Sequence, residues 1–192
     1  MIIIGLTGSI GMGKSTTADM FRDEGIPVWD ADAAVHRLYG KDGAAVPLFA
    51  AQFPEAVIDG TVSRDALKQV IQSNPDALKA VEQIVHPLVA DDRAAFIAKT
   101  DADICVLDIP LLFENGGQSE MDAVVCVTVD AQTQQARVME RGTMTYEQFQ
   151  TILAKQMDNA KKCALSDYVI ETDTIEHARQ QVHAVVSNIR KI

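Results

Sequence analysis

The fold of this chain is decided by the stretch IIIGLTGSIGMGKST, residues 2–16. It begins with an apolar run short enough for a buried strand and continues into a glycine-rich turn. Residues 14–24 then have the pattern of a helix, which Gly25 ends. The turn between them matches the phosphate-loop pattern G-x-x-x-x-G-K-[ST] over residues 8–15. The sequence therefore predicts a strand, a phosphate-binding turn and a helix in direct succession.

Each part of this pattern has a role in holding phosphate groups. Glycines let backbone N–H groups turn inward around phosphate oxygens, where side chains would collide. The following helix directs its positive end at the same anion. Lys14 supplies a mobile charge for the outer phosphates, and the Ser15 hydroxyl can ligate Mg²⁺. The alternative is a glycine-rich turn with a solvent-facing lysine. It needs a chance match, expected in roughly one chain per hundred of this size, so we predict a triphosphate site.

Length and charge restrict the possible partners. The 192 residues suffice for one α/β domain with an inserted subdomain. No apolar run reaches the length of a membrane span, which predicts no membrane partner. The net charge of −10 argues against a broad nucleic-acid or anionic-membrane surface. A few focused cations must therefore hold an anionic nucleotide.

The three cysteines predict a structural role and a reducing compartment. Cys105 and Cys126 lie in apolar strand-like runs, and Cys163 lies in a helical stretch. Their spacing fits no metal site, so we expect small core residues of a cytoplasmic protein.

Strand and helix patterns alternate as they do in a parallel sheet. After the first strand, further strands are predicted at 26–29, 104–107, 123–129 and 168–170. Helices are predicted at 34–39, from the Asp130 cap to Gly142, and from the Thr145–Gln148 capping box to about Lys162. A last helix is predicted from Thr174 onward, and its apolar stripe consists of Ala178, Val182, Val185 and Ile189. The expected architecture is a doubly wound parallel sheet that binds ligands at the carboxyl ends of its strands.

The block from about residue 40 to Thr100 carries helical signals and no strand that must be central. Ser63 is a candidate cap for a helix that runs to Ile71. Asn74-Pro75 predicts the start of another helix, which His86-Pro87 interrupts before a further helix runs to about Lys99. The block is long for a simple crossover, so we interpret it as a helical insertion that could hold a second substrate.

Carboxylates at the predicted strand ends are candidates for chemistry. Asp108 ends an apolar strand and could orient Mg²⁺ or its waters, or it could be a cap or turn residue. Asp32 could accept the proton of a hydroxyl that attacks the γ-phosphorus, or it could only cap a helix. On this interpretation, Asp30 is either a turn residue or a second residue on the side of the metal.

An arginine pair is a candidate for phosphoryl stabilisation. Arg137 and Arg141 are four residues apart and share one helix face. The guanidinium fork suits a transferring phosphoryl group in a partly dry site. A solvated helix face is the alternative.

These motifs, taken together, resemble the dephospho-CoA kinase family. The resemblance rests on GLTGSIGMGKS at 5–15, DAD at 30–32, HP at 86–87, DIPLLFE at 108–114, Arg137, Arg141, Gln156 and DYVI at 167–170. It covers nearly the whole chain, and the combination is specific within the phosphate-loop kinases. It implies transfer of the γ-phosphoryl of ATP to the ribose 3′-hydroxyl of dephospho-CoA, the last step of coenzyme A synthesis.

The resemblance also implies a domain organisation. Residues 1–34 and 101–192 would form the nucleotide-binding core, with a lid at about 138–162, and residues 35–100 would form the coenzyme A subdomain. His86 would lie near the dephospho-CoA pocket, although it could instead cap a helix end beside the break.

Some positions depart from the family pattern. Ser9 and Met12 replace residues that are often Gly and Ser, at positions where we expect only the backbone to be needed. The segment 171–173 lacks a frequent Asn near the adenine, and the segment Leu165-Ser166-Asp167 lacks a frequent Arg. These changes concern contacts to adenine and substrate, and they leave the predicted reaction class unchanged.

Two rival hypotheses remain, one a kinase of the same architecture and one from a different class of protein. Another small-molecule kinase, acting on a nucleoside monophosphate or a sugar acid, would share the loop but not the DAD and HP motifs. A nucleotide-switched regulator of the GTPase type would need Asn-Lys-x-Asp for guanine, and this sequence lacks that motif.

The predicted site uses ATP and Mg²⁺ in a cytoplasmic enzyme that is a monomer or weak oligomer. Its residues are Asp32, Lys14, Arg137 and Arg141 for catalysis; Gly8, Gly11, Met12, Gly13, Lys14, Ser15 and Thr16 for the nucleotide; Asp32, His86 and Leu111 for the acceptor; and Ser15 and Asp108 for the metal.

Overall fold

The computed structural model describes residues 1–191 of the chain. Its contacts divide these residues into two compact units, one formed by 1–29 with 101–191 and one formed by 30–100. The elements in chain order are β1 (Ile2–Thr7), α1 (Lys14–Asp23), β2 (Val28–Asp30), α2 (Ala31–Tyr39), α3 (Val46–Gln52), β3 (Val57–Ile58), β4 (Thr61–Val62), α4 (Arg64–Ser73), α5 (Ala77–Lys99), β5 (Ile104–Asp108), β6 (Ala123–Thr128), α6 (Ala131–Glu140), α7 (Tyr146–Lys155), α8 (Asn159–Ala164), β7 (Tyr168–Glu171) and α9 (Ile175–Ile189).

The first unit contains the sheet, and its strand order brings the loop and Asp108 together. The order is β2-β5-β1-β6-β7. Strand β1 pairs in parallel with β5 and with β6, and Leu6 is the partner of Asp108 in the first of these pairings. Because parallel strands end at the same edge, the phosphate loop after β1 lies beside the carboxyl end of β5. The predicted doubly wound parallel sheet is confirmed.

The core of this unit follows the predicted apolar pattern. The stripe of α9 is buried as expected, and its side chains pack with those of the central strands. The largest members of this core with no exposed surface are Ile4, Leu6, Phe21 and Ile170. Burial of apolar surface contributes roughly 25 cal/mol per Å², so this core holds the sheet and therefore the loop in place.

The predicted helix caps of this unit are present, but one predicted helix is split. The Asp130 carboxylate accepts from the amide of Thr133, and Thr145 and Gln148 form the capping box. The helix predicted to run to Lys162 ends at Lys155, where Gln156 is extended. A new helix begins at Asn159 because the Asp158 side chain caps it.

The second unit is a set of four helices, α2 to α5, with a two-stranded ribbon. Its core includes Tyr39, Phe49, Leu67 and Val81. The sequence analysis predicted only helices in this block and missed the ribbon that β3 and β4 form. Asp59 and Gly60 both have positive φ between these strands, as a two-residue hairpin turn requires, so the Asp-Gly pair was the available signal.

The predicted break at His86-Pro87 is wrong, because α5 runs through both residues. A proline inside a helix removes one backbone hydrogen bond. Val85, Leu88 and Val89 on either side of it pack against the same core, which offsets that loss. The helix also begins at Ala77, later than predicted, since the Asn74 side chain accepts from the amide of Asp76 in a turn ahead of it.

No helix among residues 1–191 is both long and apolar enough to cross a membrane.

Candidate active site

Two glycines of the phosphate loop are required by both conformation and space. Gly11 has φ of 80° and Gly13 has φ of 91°, in the left-handed region that favours glycine. A Cβ on Gly11 would lie 2.6 Å from a methyl of Val138, and one on Gly13 would lie 2.9 Å from Thr172 Oγ1. The backbone can therefore turn at these positions only because the side chains are absent.

The loop ends at the open N-terminus of α1. Gly13 precedes the helix and offers no side chain to cap it. The first amides of a helix, here those of Lys14, Ser15 and Thr16, have no intrahelical acceptor. Together with the helix dipole they form a site that favours an anion.

Side chains from the segment around α8 and from α6 hold the outer part of the loop. The amide of Ser9 donates to Asn159 Oδ1 at 2.9 Å, and the amide of Ile10 donates to Gln156 Oε1 at 3.1 Å. Gln134 Nε2 donates to the Ile10 carbonyl at 2.7 Å. These bonds fix the loop shape and occupy the outer amides, which leaves the inner turn to face a ligand.

Met12 and Thr172 anchor the inner part of the loop. Met12 is buried, and its sulfur accepts from the amide of Val129. Thr172 Oγ1 donates to the Met12 carbonyl at 2.8 Å. The expectation that only the backbone matters at position 12 is wrong, because this side chain belongs to the core.

Lys14 and Asp108 form an ion pair at the carboxyl edge of the sheet. Lys14 Nζ lies 2.5 Å from Asp108 Oδ1. Asp108 is only 2% exposed, so the adjacent Lys14 ammonium offsets part of the cost of burying a carboxylate. Ser15 follows Lys14 on α1 and is exposed. The structure thus gathers a cation, a carboxylate and the anion-binding turn in one place.

The arginine pair lines a cavity of about 140 Å³ next to the loop. Thr16 and Ile175 also line it, together with both Arg137 and Arg141. Arg137 donates to Thr172 through two nitrogens, at 3.0 Å to Oγ1 and 2.5 Å to the carbonyl oxygen. The alternative of a fully solvated helix face is therefore wrong for Arg137. The cavity is therefore lined by two cationic side chains and lies beside a phosphate-binding turn.

Thr172, Asn159 and Gln134 are site residues that the sequence analysis missed. Thr172 directly follows β7, so the rule that ligands gather at strand ends could have found it. The other two carry no signal, because a polar residue on a helix usually faces solvent.

A buried ion pair was also missed. Lys162 has no exposed surface, and its Nζ lies 2.8 Å from Glu114 Oε1 and donates to the Pro110 carbonyl at 3.1 Å. The amide of Met157 donates to the same Glu114 oxygen. Burial raises the pKa of Glu114, but the hydrogen bonds from Lys162 and the Met157 amide outweigh it and leave the pKa below its ordinary value. The pair ties α8 to the turn that carries the exposed side chain of Leu111.

The cysteines are free thiols, as predicted. Cys126 and Cys163 lie near each other, with 3.5 Å between their sulfurs. Burial, and next the neighbouring Cys163 thiol, raise the pKa of Cys126 far above its ordinary value, which makes it unreactive.

In the second unit, the structure separates the roles of the two aspartates. Asp30 caps α2, because its carboxylate accepts from the amide of Ala33 at 2.9 Å. Asp32 lies in the first turn of α2, is exposed and has no hydrogen-bond partner for its side chain within residues 1–191. A capping role for Asp32 is therefore wrong. His86 is exposed in the middle of α5, which rules out the helix-break role.

Comparisons with known proteins identify the family of this chain. The family model described as dephospho-CoA kinase matches residues 2–177. A dephospho-CoA kinase of Ruegeria pomeroyi is 63% identical, with 97% of this chain and 95% of that protein covered. One of Cereibacter sphaeroides is 54% identical, with 98% and 95% covered.

Solved structures show the same fold. A crystal structure from Thermus thermophilus has a TM-score of 0.87 at 33% identity, with 97% of both chains covered. A dephospho-CoA kinase from Campylobacter jejuni has a TM-score of 0.72 at 24% identity, with 98% of this chain and 97% of that chain covered. The family model and the relatives span nearly the whole chain, so the chain belongs to the dephospho-CoA kinase family.

Proposed function

We propose that this chain transfers the γ-phosphoryl of ATP to the ribose 3′-hydroxyl of dephospho-CoA, giving coenzyme A and ADP. The observation that carries the proposal is the Lys14–Asp108 pair beside an open helix N-terminus, in a chain of this family. Phosphoryl transfer needs little more of a protein than precise positioning and charge stabilisation. Both come from rigid elements here, since a buried core holds the loop.

The proposed nucleotide ligands are the amides of the inner loop, from Gly11 to Thr16, with Gly8 allowing the turn. Lys14 would leave Asp108 for the β- and γ-phosphates, since a triphosphate offers it more negative charge. The cavity lined by Arg137 and Arg141 would bind either the nucleoside part of ATP or its phosphates. Thr172 would orient Arg137 there through the two hydrogen bonds it accepts.

Ser15 and Asp108 are the proposed magnesium ligands. A hydroxyl and a carboxylate are hard oxygen donors, which Mg²⁺ prefers. Asp108 suits the role because it is buried at a strand end and already faces a cation. A metal bound there would neutralise negative charge on the transferring phosphoryl group. The two side chains hold their positions because Asp108 ends β5 and Ser15 lies in the first turn of α1.

Asp32 is the proposed base. It would accept the proton of the 3′-hydroxyl as that oxygen attacks the γ-phosphorus. The Asp30 carboxylate already accepts a hydrogen bond from the Ala33 amide, whereas the Asp32 carboxylate is exposed. This difference supports Asp32, and not Asp30, as the base. We also propose that 35–100 binds dephospho-CoA with His86, that Leu111 contacts the acceptor, and that 138–162 acts as a lid.

The free thiols of all three cysteines support a reducing, cytoplasmic location. We also propose that the protein is a monomer or weak oligomer.

A coupled assay tests the proposed function. The chain is incubated with ATP, Mg²⁺ and one acceptor at a time, and ADP release is followed. We expect rapid ADP release with dephospho-CoA and very little with shikimate or adenosine 5′-monophosphate. Phosphorus NMR of the product should show the new phosphate coupled to the ribose 3′ proton. ADP release with another acceptor but not with dephospho-CoA would contradict the proposal.

A further inference from the structure

Two cysteine side chains meet between α8 and β6, where the proposed chemistry does not use them. The thiol of Cys163, on α8, donates to the sulfur of Cys126, on β6, across 3.5 Å. Because a disulfide joins its sulfurs at about 2.05 Å, closing this bond needs a movement of only about 1.5 Å. Cys126 is fully buried, whereas Cys163 is half-buried. The pair therefore consists of an inner thiol and an outer thiol that a small reagent can reach.

The third cysteine cannot join this pair. Cys105 lies on β5, and β1 separates that strand from β6. Neighbouring strands lie about 4.8 Å apart, so β5 and β6 are about 10 Å apart across the sheet. The register adds to this separation, since Cys105 pairs with Ile3 and Cys126 pairs with Thr7 on β1. A disulfide needs Cα atoms within about 7 Å of each other, which excludes Cys105.

The Asn159 side chain connects the two thiols to the phosphate loop. Its Nδ2 donates to Cys163 Sγ at 3.7 Å, and its Oδ1 lies 4.0 Å from Cys126 Sγ. The same Oδ1 accepts from the amide of Ser9 at 2.9 Å. Asn159 and Cys163 are four residues apart on α8, so they are neighbours on one face of that helix. A displacement of Cys163 therefore acts directly on the side chain that holds Ser9.

The surroundings give the two thiols different roles. Burial, and next the Cys163 thiol, raise the pKa of Cys126, so Cys126 stays protonated and is unreactive toward reagents in solution. Cys163 is the partly exposed thiol, and it meets an oxidant first. The Lys162 ammonium opposes the rise in the pKa of Cys126 by favouring its thiolate. This charge assists Cys126 once an oxidised sulfur lies in contact with it.

We propose that Cys126 and Cys163 are a modification site at which a hydroperoxide forms an intramolecular disulfide. With hydrogen peroxide, the Cys163 sulfur attacks one oxygen and the O–O bond breaks. Cys163 becomes a sulfenic acid, and its proton leaves with the other oxygen as water. The Cys126 sulfur then attacks the Cys163 sulfur, the S–O bond breaks, and the hydroxyl leaves as water with the Cys126 proton. Each sulfur gives up one electron, and the products are one disulfide and two waters.

The disulfide weakens nucleotide binding through Asn159. Closing the sulfurs pulls α8 toward β6 and removes Cys163 from Asn159 Nδ2, which disturbs the hydrogen bond from Ser9 to Asn159 Oδ1. The expected loss in affinity for ATP is about fivefold, the net effect of one hydrogen bond. This consequence rests on the proposed function, whereas formation of the disulfide does not. In a reducing compartment such a disulfide is transient, since other thiols reverse it.

Peptide mapping of the oxidised protein tests the site. The folded protein is treated with hydrogen peroxide, the remaining thiols are alkylated in denaturant, and the peptides are identified by mass. We expect Cys126 and Cys163 in one linked pair that dithiothreitol separates, with Cys105 alkylated throughout. Cys163→Ala should leave Cys126 alkylated, and the matched control Cys105→Ala should form the disulfide as the wild type does.

The wild-type map decides the site even if Cys163→Ala does not fold. Three thiols that all remain free would overturn the proposal. Sulfinic acid at Cys163 beside a free Cys126 would also overturn it, as would a disulfide formed only between two molecules.

Calorimetry with ATP and Mg²⁺ tests the coupling to the loop without turnover. Oxidation should raise the Kd for ATP about fivefold in the wild type and in Cys105→Ala, and dithiothreitol should reverse the change. Cys163→Ala should bind ATP equally before and after peroxide treatment. An unchanged Kd in protein that carries the disulfide would refute the coupling through Asn159. Reduced protein that binds no ATP would instead refute the proposed function, and the peptide map would still decide the modification site.

Discussion

The Lys162–Glu114 pair should be essential for stability although it touches neither the phosphate loop nor Asp32. Lys162 has no exposed surface, and Glu114 is only 17% exposed. One Glu114 oxygen accepts from Lys162 and from the Met157 amide, whereas the buried Oε2 has no partner. Lys162→Met would therefore leave a buried carboxylate that has lost its countercharge.

The expected cost follows from this geometry. Removing one partner of a buried pair costs about 3–5 kcal/mol. For a chain of this size, each kcal/mol lowers Tm by roughly 2–4 °C, so we expect Tm to fall by roughly 6–20 °C. Neutralising Glu114 as well, in Lys162→Met/Glu114→Gln, should recover a large part of the loss, because the uncompensated charge is removed.

The pH dependence gives an independent check. In the wild type, the lowered pKa of Glu114 stabilises the fold above the ordinary carboxyl range, and this contribution is lost as pH falls through the folded pKa. Without Lys162, burial dominates and should raise that pKa, so the folded state would bind the proton more tightly than the unfolded state. The stability difference between the wild type and Lys162→Met should therefore shrink between pH 7 and pH 5.

Chemical denaturation at both pH values measures these differences, with Lys161→Met as the control. Lys161 is the adjacent residue on the same helix but is exposed, so its replacement should change the free energy of unfolding by less than about 0.5 kcal/mol. A Lys162→Met variant as stable as this control at pH 7 would refute the reasoning. So would a stability difference that grows as the pH is lowered.

Three further predictions concern the proposed chemistry. Lys14→Met should lower kcat by several orders of magnitude, and it should also lower Tm because the buried Asp108 loses a partner at 2.5 Å; steady-state rates and a thermal melt measure both. Asp32→Asn should lower kcat by roughly 10²–10⁴ with little change in the KM for ATP, whereas Asp108→Asn should raise the Mg²⁺ concentration needed for half-maximal rate. Dephospho-CoA should slow amide hydrogen exchange within residues 35–100, because a bound substrate orders the elements that hold it.

The outcomes that would contradict these predictions are distinct. Near-normal turnover by Lys14→Met would exclude the triphosphate role of the loop. If added Mg²⁺ restored the turnover of Asp32→Asn, Asp32 would be assigned to metal binding instead of to proton transfer. Unchanged exchange across 35–100, with dephospho-CoA demonstrably bound, would place the acceptor elsewhere.

The sequence by itself determined the features that depend on neighbouring residues. The glycines and lysine of the loop, the strand that ends in Asp108, the Asp130 and Ser63 caps and the α9 stripe were all predictable. Each is governed by turn conformation, side-chain capping or apolar periodicity within one short segment. For the same reason the family resemblance was visible, since its motifs are local.

Only the tertiary structure decided which distant side chains complete the loop. Asn159 and Gln156 reach Ser9 and Ile10 because the strand order places β6 beside β1, and the segment after α7 returns over that edge. The break between α7 and α8 puts Gln156 in the extended conformation from which it contacts the loop. In α5, tertiary packing has the opposite effect and keeps a helix continuous. Packing against the core outweighs the local effect of Pro87. Contacts between segments far apart in sequence depend on the register and order of strands, and no single stretch of residues encodes them.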